Sequence, residues 1–354
     1  MSQEEVVVDQ ILNKYKYVDF VCGTHNLDNI LNIIKNKIDT NKRQIEVLSY
    51  SGDVVEGVPV KRDSKYSAWV DIIYGCDKFC TYCIVPYTRG GQRSRKKEAI
   101  IEEVRKLKEE GYLEVTLLGQ NVNAYGNDFY NDYDLADLLK DVSEIGIPRV
   151  RFVTSHPWDF TERMVDVIAE HENIMPYIHL PLQSGSNKVL KAMNRRYTKE
   201  DYLKLYDSIR TKVKNASVTT DIIVGFPQES EKDFLDSVAY MQKCRFMRVH
   251  CFSYSQRPGT KGAEMSGQID NATKSERNRI MTFKSEQVRD SVYAEYIGFE
   301  EEALLEQKTA DGYFTAYTKR YIPVLVKDNG YSAGDIVKVR LTGIDGGKMS
   351  CEVI

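Results

Sequence analysis

The chain has 354 residues, 29% of them charged, and a formal net charge of −3. That length allows two or three domains with ample core, and the charge balance gives no global basic signal for nucleic acid. No apolar run approaches a membrane span, Met1 is followed by acidic Glu4 and Glu5 rather than a basic, apolar leader, and seven cysteines, three clustered and four scattered, suit a reducing cytoplasm and a metal site better than a disulfide framework.

Residues 1–60 read as a small α/β piece. Val18-Asp19-Phe20-Val21 is a strand candidate. Asp28 to Lys37 has a helical period through Ile30, Leu31, Ile33 and Ile34. The polar stretches Thr40–Arg43 and Ser49–Asp53 suggest loop and linker.

Residues 65–255 alternate strands with amphipathic helices. Strands are expected at Ala68–Tyr74, Val115–Leu118, Arg149–Thr154, Tyr177–Leu182, Val218–Val224 and Arg248–Tyr254. Ile100, Ile101, Val104 and Leu107 line one helix, with Gly111 as its stop. Leu135, Leu138, Leu139 and Val142 line the next, behind Asp134 as its cap. Thr198–Asp201 and Ser230–Asp233 are capping-box variants ahead of two further helices. Regular strand–helix units argue for parallel strands with right-handed crossovers. Six are too few to close an eight-unit barrel.

A charged helix follows over 270–297, with Ile280, Phe283, Val288 and Val292 on one side. After Gly298, Tyr313–Tyr317, Ile322–Val326 and Ile336–Leu341 read as short strands separated by Gly-containing turns. They predict a small antiparallel β-barrel.

The strongest chemical signal is Cys76, Cys80 and Cys83, a C-x3-C-x2-C run. A structural zinc wants four protein ligands, usually as paired C-x2-C units. A four-iron cluster is held by thiolates, and three of them leave one iron open to a small molecule. S-adenosylmethionine offers the amine and carboxylate for that position. The bland alternative is a zinc completed by a distant His, or three structural cysteines.

The segment from Gly75 to Gly90, with aromatic Tyr82 before the last cysteine, resembles the radical S-adenosylmethionine methylthiotransferases, and within them the MiaB type. Gly23-Thr24-His25-Asn26, Leu118–Asn123, Ser155-His156-Pro157, Pro181–Ser186 and Asp221–Pro227 match the same family in order along nearly the whole chain. The resemblance implies an open six-unit (β/α) partial barrel over residues 61–290 and a TRAM-type β-barrel over 291–354. Residues 1–60 then correspond to a remnant of the family's N-terminal domain. Family members carry three more cysteines there for a second [4Fe-4S] cluster. No cysteine precedes Cys22 here, so one cluster is expected and complete methylthiolation is in doubt.

By the same resemblance Cys76, Cys80 and Cys83 hold one [4Fe-4S] cluster. Candidate S-adenosylmethionine contacts are Tyr82, Gln120, Asn121, Asn123, Gln183, Ser184, Arg195 and Asp221, each with the rival reading of a turn residue or a satisfied buried polar group. No side chain is assigned as catalytic, because the cofactor supplies the radical; His156 reads as a loop residue. Arg89, Arg93, Arg95, Lys96 and Lys97 give five basic residues and no acid in Thr88–Lys97, a candidate RNA contact or an ordinary helix start. Lys188, Lys191, Arg195, Arg196 and Lys199 form a second basic group.

Residues 298–354 carry seven Lys and Arg against nine Asp and Glu, so charge does not independently support RNA binding by the β-barrel. Tyr313, Phe314, Tyr317 and Tyr321 are open to base stacking or to core packing. The scattered Cys22, Cys244, Cys251 and Cys351 read as small buried hydrophobes. The implied activity is methylthiolation at C2 of N6-isopentenyladenosine beside a tRNA anticodon, with an electron donor such as flavodoxin or ferredoxin, in the cytoplasm. The alternatives are a threonylcarbamoyladenosine tRNA or a ribosomal-protein aspartate as substrate, or a non-enzymatic tRNA-binding remnant.

Overall fold

A computed structural model describes residues 5–23, 29–47, 54, 56–57 and 60–354. The Thr24-His25-Asn26 match and the Ser49–Asp53 linker lie outside the described residues. The N-terminal piece runs α1 (Glu5–Lys14), β1 (Phe20–Cys22), α2 (Ile30–Thr40) and β2 (Gln44–Glu46), and its two strands pair in parallel. Of the apolar residues expected to line α2, Ile33 is fully buried and Leu31 is exposed.

The core follows as β3 (Ser67–Asp71), β4 (Ile73–Tyr74), α3 (Val85–Arg89), β5 (Arg93–Ser94), α4 (Lys97–Glu109) and β6 (Glu114–Leu118). It continues through α5 (Leu135–Glu144), β7 (Arg149–Phe152), α6 (Glu162–Glu170), β8 (Tyr177–His179), α7 (Asn187–Ala192) and α8 (Lys199–Lys212). It ends with β9 (Ser217–Val224), α9 (Glu231–Cys244), β10 (Arg248–Ser253), α10 (Lys261–Glu264) and α11 (Asn271–Ala294).

Local chemistry explains the helices. Ile100, Val104 and Leu107 are buried along α4, which stops before Gly111 at φ +87. Asp134 accepts from the Ala136 and Asp137 amides, and the Asp137 side chain returns to the Asp134 amide. Thr198–Asp201 and Ser230–Asp233 form reciprocal boxes of the same kind. On α11, Val288 and Val292 are buried, but Phe283 is exposed; Met281 and Tyr293 take the inward positions.

The six core strands lie in chain order as two parallel three-stranded sheets, β3-β6-β7 and β8-β9-β10. The seam between them is joined by a bridge, with the Val150 amide donating to Asn173 O at 2.7 Å and the Met175 amide to Val150 O at 2.9 Å. No ladder joins β3 to β10, so the barrel is open along those two edges. No helix among the described residues is long and apolar enough to cross a membrane.

The C-terminal strands β11 (Glu300–Lys308), β12 (Tyr313–Thr318), β13 (Pro323–Lys327), β14 (Ile336–Asp345) and β15 (Lys348–Val353) close a barrel in the order β11-β12-β13-β15-β14. The expected barrel is present, but β11 and β15 are additional strands, and β13 pairs with β15 in parallel. Their charged or mixed sequences hid the alternation that marked the other three.

Two buried arginines of β7 fasten this barrel beneath the core. Arg149 donates to Tyr317 O at 3.1 Å and Glu302 O at 3.0 Å. Arg151 donates to Lys319 O at 3.1 Å and Thr318 O at 3.0 Å, and its Nε meets Glu114 at 2.8 Å. The Ser217 hydroxyl adds a bond to Arg320 O at 2.7 Å. Burial, with Arg151 alongside, pulls the Arg149 guanidinium down to about 10, so it stays charged at neutral pH. Arg151→Met leaves the buried Glu114 carboxylate with only Arg149, 4.0 Å away, and strips the Lys319 carbonyl of its Arg151 donor. It should cost about 3–5 kcal/mol, read as a lower urea midpoint.

A candidate cluster and cofactor centre at the strand mouth

The three clustered cysteines sit on a loop whose ends are drawn together by a short hairpin. β4 pairs antiparallel with β5, Ile73 opposite Ser94 and Tyr74 opposite Arg93. Gly75 has φ +68, and a Cβ there would lie 2.1 Å from Gly91 O, so only glycine fits. The Gly75 amide donates to the Gln120 side chain at 2.5 Å, and the Cys76 amide to Gly90 O at 3.2 Å.

The middle of the loop is tied to its neighbours. The Thr81 amide and hydroxyl donate to Met193 O and Ala192 O at 3.1 and 2.9 Å, and the Gly262 amide donates to Thr81 O at 2.7 Å. The Asn194 amide group donates to Phe79 O at 3.0 Å, and Lys78 pairs with Asp159 at 2.6 Å.

Cys76, Cys80 and Cys83 are free and half-buried. Among the described residues no three His, Cys, Asp or Glu groups converge on one point. A cluster asks for a different arrangement, because each thiolate takes a different iron. Burial pushes the Cys76 thiol up to about 11 and raises the Cys83 thiol too. Iron would have to displace those protons on binding.

A cavity of about 410 Å³ adjoins the loop, bordered by Tyr82, Cys83, Gln183, Asp221, Phe252 and Arg257. Gln183 bridges the two strand ends beside it. Its amide donates to Asp221 O at 2.8 Å, and its carbonyl accepts from Ile223 at 2.9 Å. Its side-chain oxygen is buried with no partner among the described residues, as is that of Asn121. An orphaned acceptor on a cavity wall, as at Gln183, fits a ligand that brings donors, such as an amino or ribose group. The donor set and cavity therefore suit a thiolate-held cluster with a small polar cofactor beside it.

The other expected cofactor contacts are distributed differently. Asn123 is buried, accepting from the His156 amide at 3.0 Å and donating to Met164 Sδ at 3.4 Å. Ser184 is fully buried against Ser237 at 3.2 Å. Both shape the mouth from behind. Gln120 holds Gly75, and Asn121 donates to Asp159 at 2.6 Å. Arg195 does not project freely. Its Nη1 lies 3.6 Å from Cys80 Sγ and also contacts His156 Nε2. Burial, reinforced by the Arg195 and Lys78 cations, drives the His156 imidazole down to about 2, so it acts as a neutral acceptor.

The structure also brings in groups that motif reading passed over. His179 Nε2 lies 3.4 Å from Asp221, its Nδ1 meets Thr219 Oγ1 at 2.9 Å, and its ring faces His250. Strand alternation was the available signal, since His179 shares a face with Tyr177. Trp158 has Lys78 Nζ and the Arg196 guanidinium each 4.5 Å from its ring centre.

The basic segment after the loop is not uniformly available. Arg95 is buried, paired with Glu56 at 2.7 Å and Glu103 at 2.8 Å, which removes it from any RNA-facing set. Lys97 lies 4.2 Å over the Tyr133 ring, Arg93 donates to Arg89 O at 3.4 Å, and Arg89 and Lys96 are exposed. In the second group Arg195 is buried and Lys188 pairs with Asp233 at 2.9 Å.

A half-barrel of parallel strands with three thiols at its mouth defines a radical S-adenosylmethionine enzyme, and the Radical SAM superfamily model matches residues 70–241. The tRNA-2-methylthio-N(6)-dimethylallyladenosine synthase of Staphylococcus epidermidis strain RP62A is 47% identical over 344 residues, covering 96% of this chain and 67% of that protein. The corresponding protein of Staphylococcus aureus strain JH9 matches with the same identity and coverage. The chain therefore belongs to this methylthiotransferase family. Among solved structures, coproporphyrinogen III oxidase from Escherichia coli, a radical SAM enzyme, superposes over 79% of this chain and 67% of its own at TM-score 0.49 and 12% identity.

The state of His156 sets a pH dependence. Its folded pKa lies below the unfolded value of 6.5, so the unfolded chain holds the extra proton in between, and stability rises with pH until it levels off above about 6.5. Between pH 7.5 and 5.5 the protein should lose about 1.4 kcal/mol that His156→Asn does not lose, measured by urea unfolding at both pH values.

Proposed function

We propose that this chain holds one [4Fe-4S] cluster on Cys76, Cys80 and Cys83, binds S-adenosylmethionine in the adjoining cavity and cleaves it, as the radical-generating part of a tRNA methylthiotransferase whose target is C2 of N6-dimethylallyladenosine. The observation that carries this reading is the pinned loop of three free, half-buried thiols beside a cavity with an orphaned acceptor. Sequence identity of 47% along 96% of the chain gives the substrate class.

When bound, the cluster supplies the electron for cleavage of the sulfonium. The chain's own residues orient and enclose. Tyr82, Gln183 and Asp221 border the cofactor cavity, and the Gln183 side-chain oxygen is the orphaned acceptor there. Gln120 and Asn123 hold the Gly75 and His156 amides, and Ser184 packs against Ser237. Arg195 faces Cys80, where its positive charge offsets thiolate charge.

Arg89, Arg93, Lys96 and Lys97 are the remaining RNA contacts on the segment after the loop, and Tyr313 is the exposed aromatic of the β-barrel. Exposed Phe79, Tyr87 and Arg196 surround the cluster loop and suit an acidic electron donor such as flavodoxin or ferredoxin. The boundaries 1–60, 61–290 and 291–354 describe the working units. Cys76, Cys80, Cys83, Cys244, Cys251 and Cys351 are free thiols, which goes with a cytoplasmic setting. Cys22, Cys244, Cys251 and Cys351 lie in β1, α9, β10 and β15, which supports a single cluster.

Anaerobic reconstitution should give about four irons per chain, and 5′-deoxyadenosine should appear after reduction with dithionite. Cys80→Ala should abolish both. A colourless, zinc-loaded wild type would overturn the reading, and about eight irons would overturn the single-cluster part of it.

A further inference from the structure

The interior of the core beneath the cofactor cavity has no part in the reading above. Trp69, Thr116 and Arg151 stand in register across β3, β6 and β7. With Val153, Tyr177, Tyr321 and Glu306 they border a cavity of about 430 Å³. Its floor belongs to the C-terminal barrel, where Tyr321 lies 4.5 Å from Tyr317 and 4.7 Å from Tyr177 between ring centres. Trp69 is 58% exposed although Ala68 and Val70 on either side are buried, so a large indole stands bare on the inward face.

The two cavities are stacked along the strands. His179 lies two residues beyond Tyr177 and touches Asp221 at 3.4 Å, and Asp221 borders the cofactor cavity. Tyr177 stands opposite Ser217, four residues before Asp221 on β9, so the two linings are about 13 Å apart along the strands. A base lying along the strands with C2 toward the cofactor points its N6 substituent toward the lower cavity.

The lining of that cavity is selective. Ala68, Trp69, Val153, Tyr177 and Tyr321 give it an apolar side, and Glu114, Thr116, Arg151, Glu306 and Gln307 stand among them. Its interior cation, Arg151, spends its donors on Glu114, Thr318 O and Lys319 O. Glu306 forms no ion pair among the described residues. At the rim Arg62 is paired with Glu103, and Lys61 and Asp63 are exposed charges of opposite sign. A branched hydrocarbon is accommodated, whereas a carboxylate meets Glu306 and finds no free guanidinium.

We propose that this lower cavity receives the N6 substituent of the target adenosine, with Trp69, Tyr177 and Tyr321 as its apolar walls and Glu306 as the group that rejects an anionic substituent. The inference rests on the tRNA reading above and extends it to the residues that choose between dimethylallyl and threonylcarbamoyl adenosine.

Trp69 and Trp158 are the two tryptophans of the chain, so Trp158→Phe leaves Trp69 as sole fluorescent reporter. The reconstituted chain would be titrated with anticodon stem-loop RNAs carrying N6-dimethylallyl, N6-threonylcarbamoyl or unmodified adenosine. The dimethylallyl RNA should shift Trp69 emission and bind about tenfold or more tighter than the unmodified RNA. Trp69→Ala should remove that preference while affinity for unmodified RNA stays within about twofold. Glu306→Lys, at a half-exposed position, should strengthen threonylcarbamoyl binding about tenfold, and it tests the same claim if Trp69→Ala fails to fold. A dimethylallyl preference that leaves Trp69 silent and survives Trp69→Ala, or threonylcarbamoyl binding unchanged by Glu306→Lys, overturns the pocket assignment alone. Failure of all three RNAs to bind overturns the tRNA reading itself.

Discussion

The centre depends on one close approach of backbone to backbone. Gly75 passes so near the carbonyls of Gly90 and Gly91 that a methyl group could not be placed between them. That contact, with the hairpin of β4 and β5, closes the loop and sets the directions of its three thiols. A loop that long would otherwise sample many shapes, and its ordering entropy would fall on cluster binding. Here folding of the core settles it, through the carbonyls at the end of α7 and the Gln120 side chain.

The same core carries polar groups deep inside, and each is answered by a specific partner. Arg149 and Arg151 are almost wholly buried, yet their donors reach four carbonyls of the C-terminal barrel and one carboxylate. The barrel is thus held by its backbone geometry as much as by the identity of its side chains. At the opposite end of β7, His156 and Arg195 form a second buried polar contact, aimed at Cys80. One strand therefore has the C-terminal barrel at its foot and the three-cysteine loop near its head.

Open edges give the interior its use. Among the described residues no strand pairs β3 with β10, so the two sheets do not close into a ring. The interior is graded along the strands. Thiols, amides and carboxylates stand at the top, the His179–Asp221 pair lies in the middle, and aromatic rings form the bottom.

Much of this was legible from the chain alone. Hydrophobic periods at Ile100–Leu107 and Leu135–Val142, the caps at Asp134, Thr198 and Ser230, and the three-cysteine spacing all report local physics, which neighbouring residues decide. The strands β11 and β15 escaped because their charged sequences hide alternation, and their pairing is set by barrel closure. Arg95 read as one of five equivalent cations; only burial against Glu56 and Glu103, about 40 and 8 positions away in sequence, separates it from exposed Arg89. Arg195 and Ser184 likewise took their roles from distant partners. By itself the sequence determined most of the elements, the spacing of the three clustered cysteines and the family. The tertiary structure decided which polar groups were spent internally and which were left for a ligand, because hydrogen bonds over long separations are set by packing, and packing is not written in any local window.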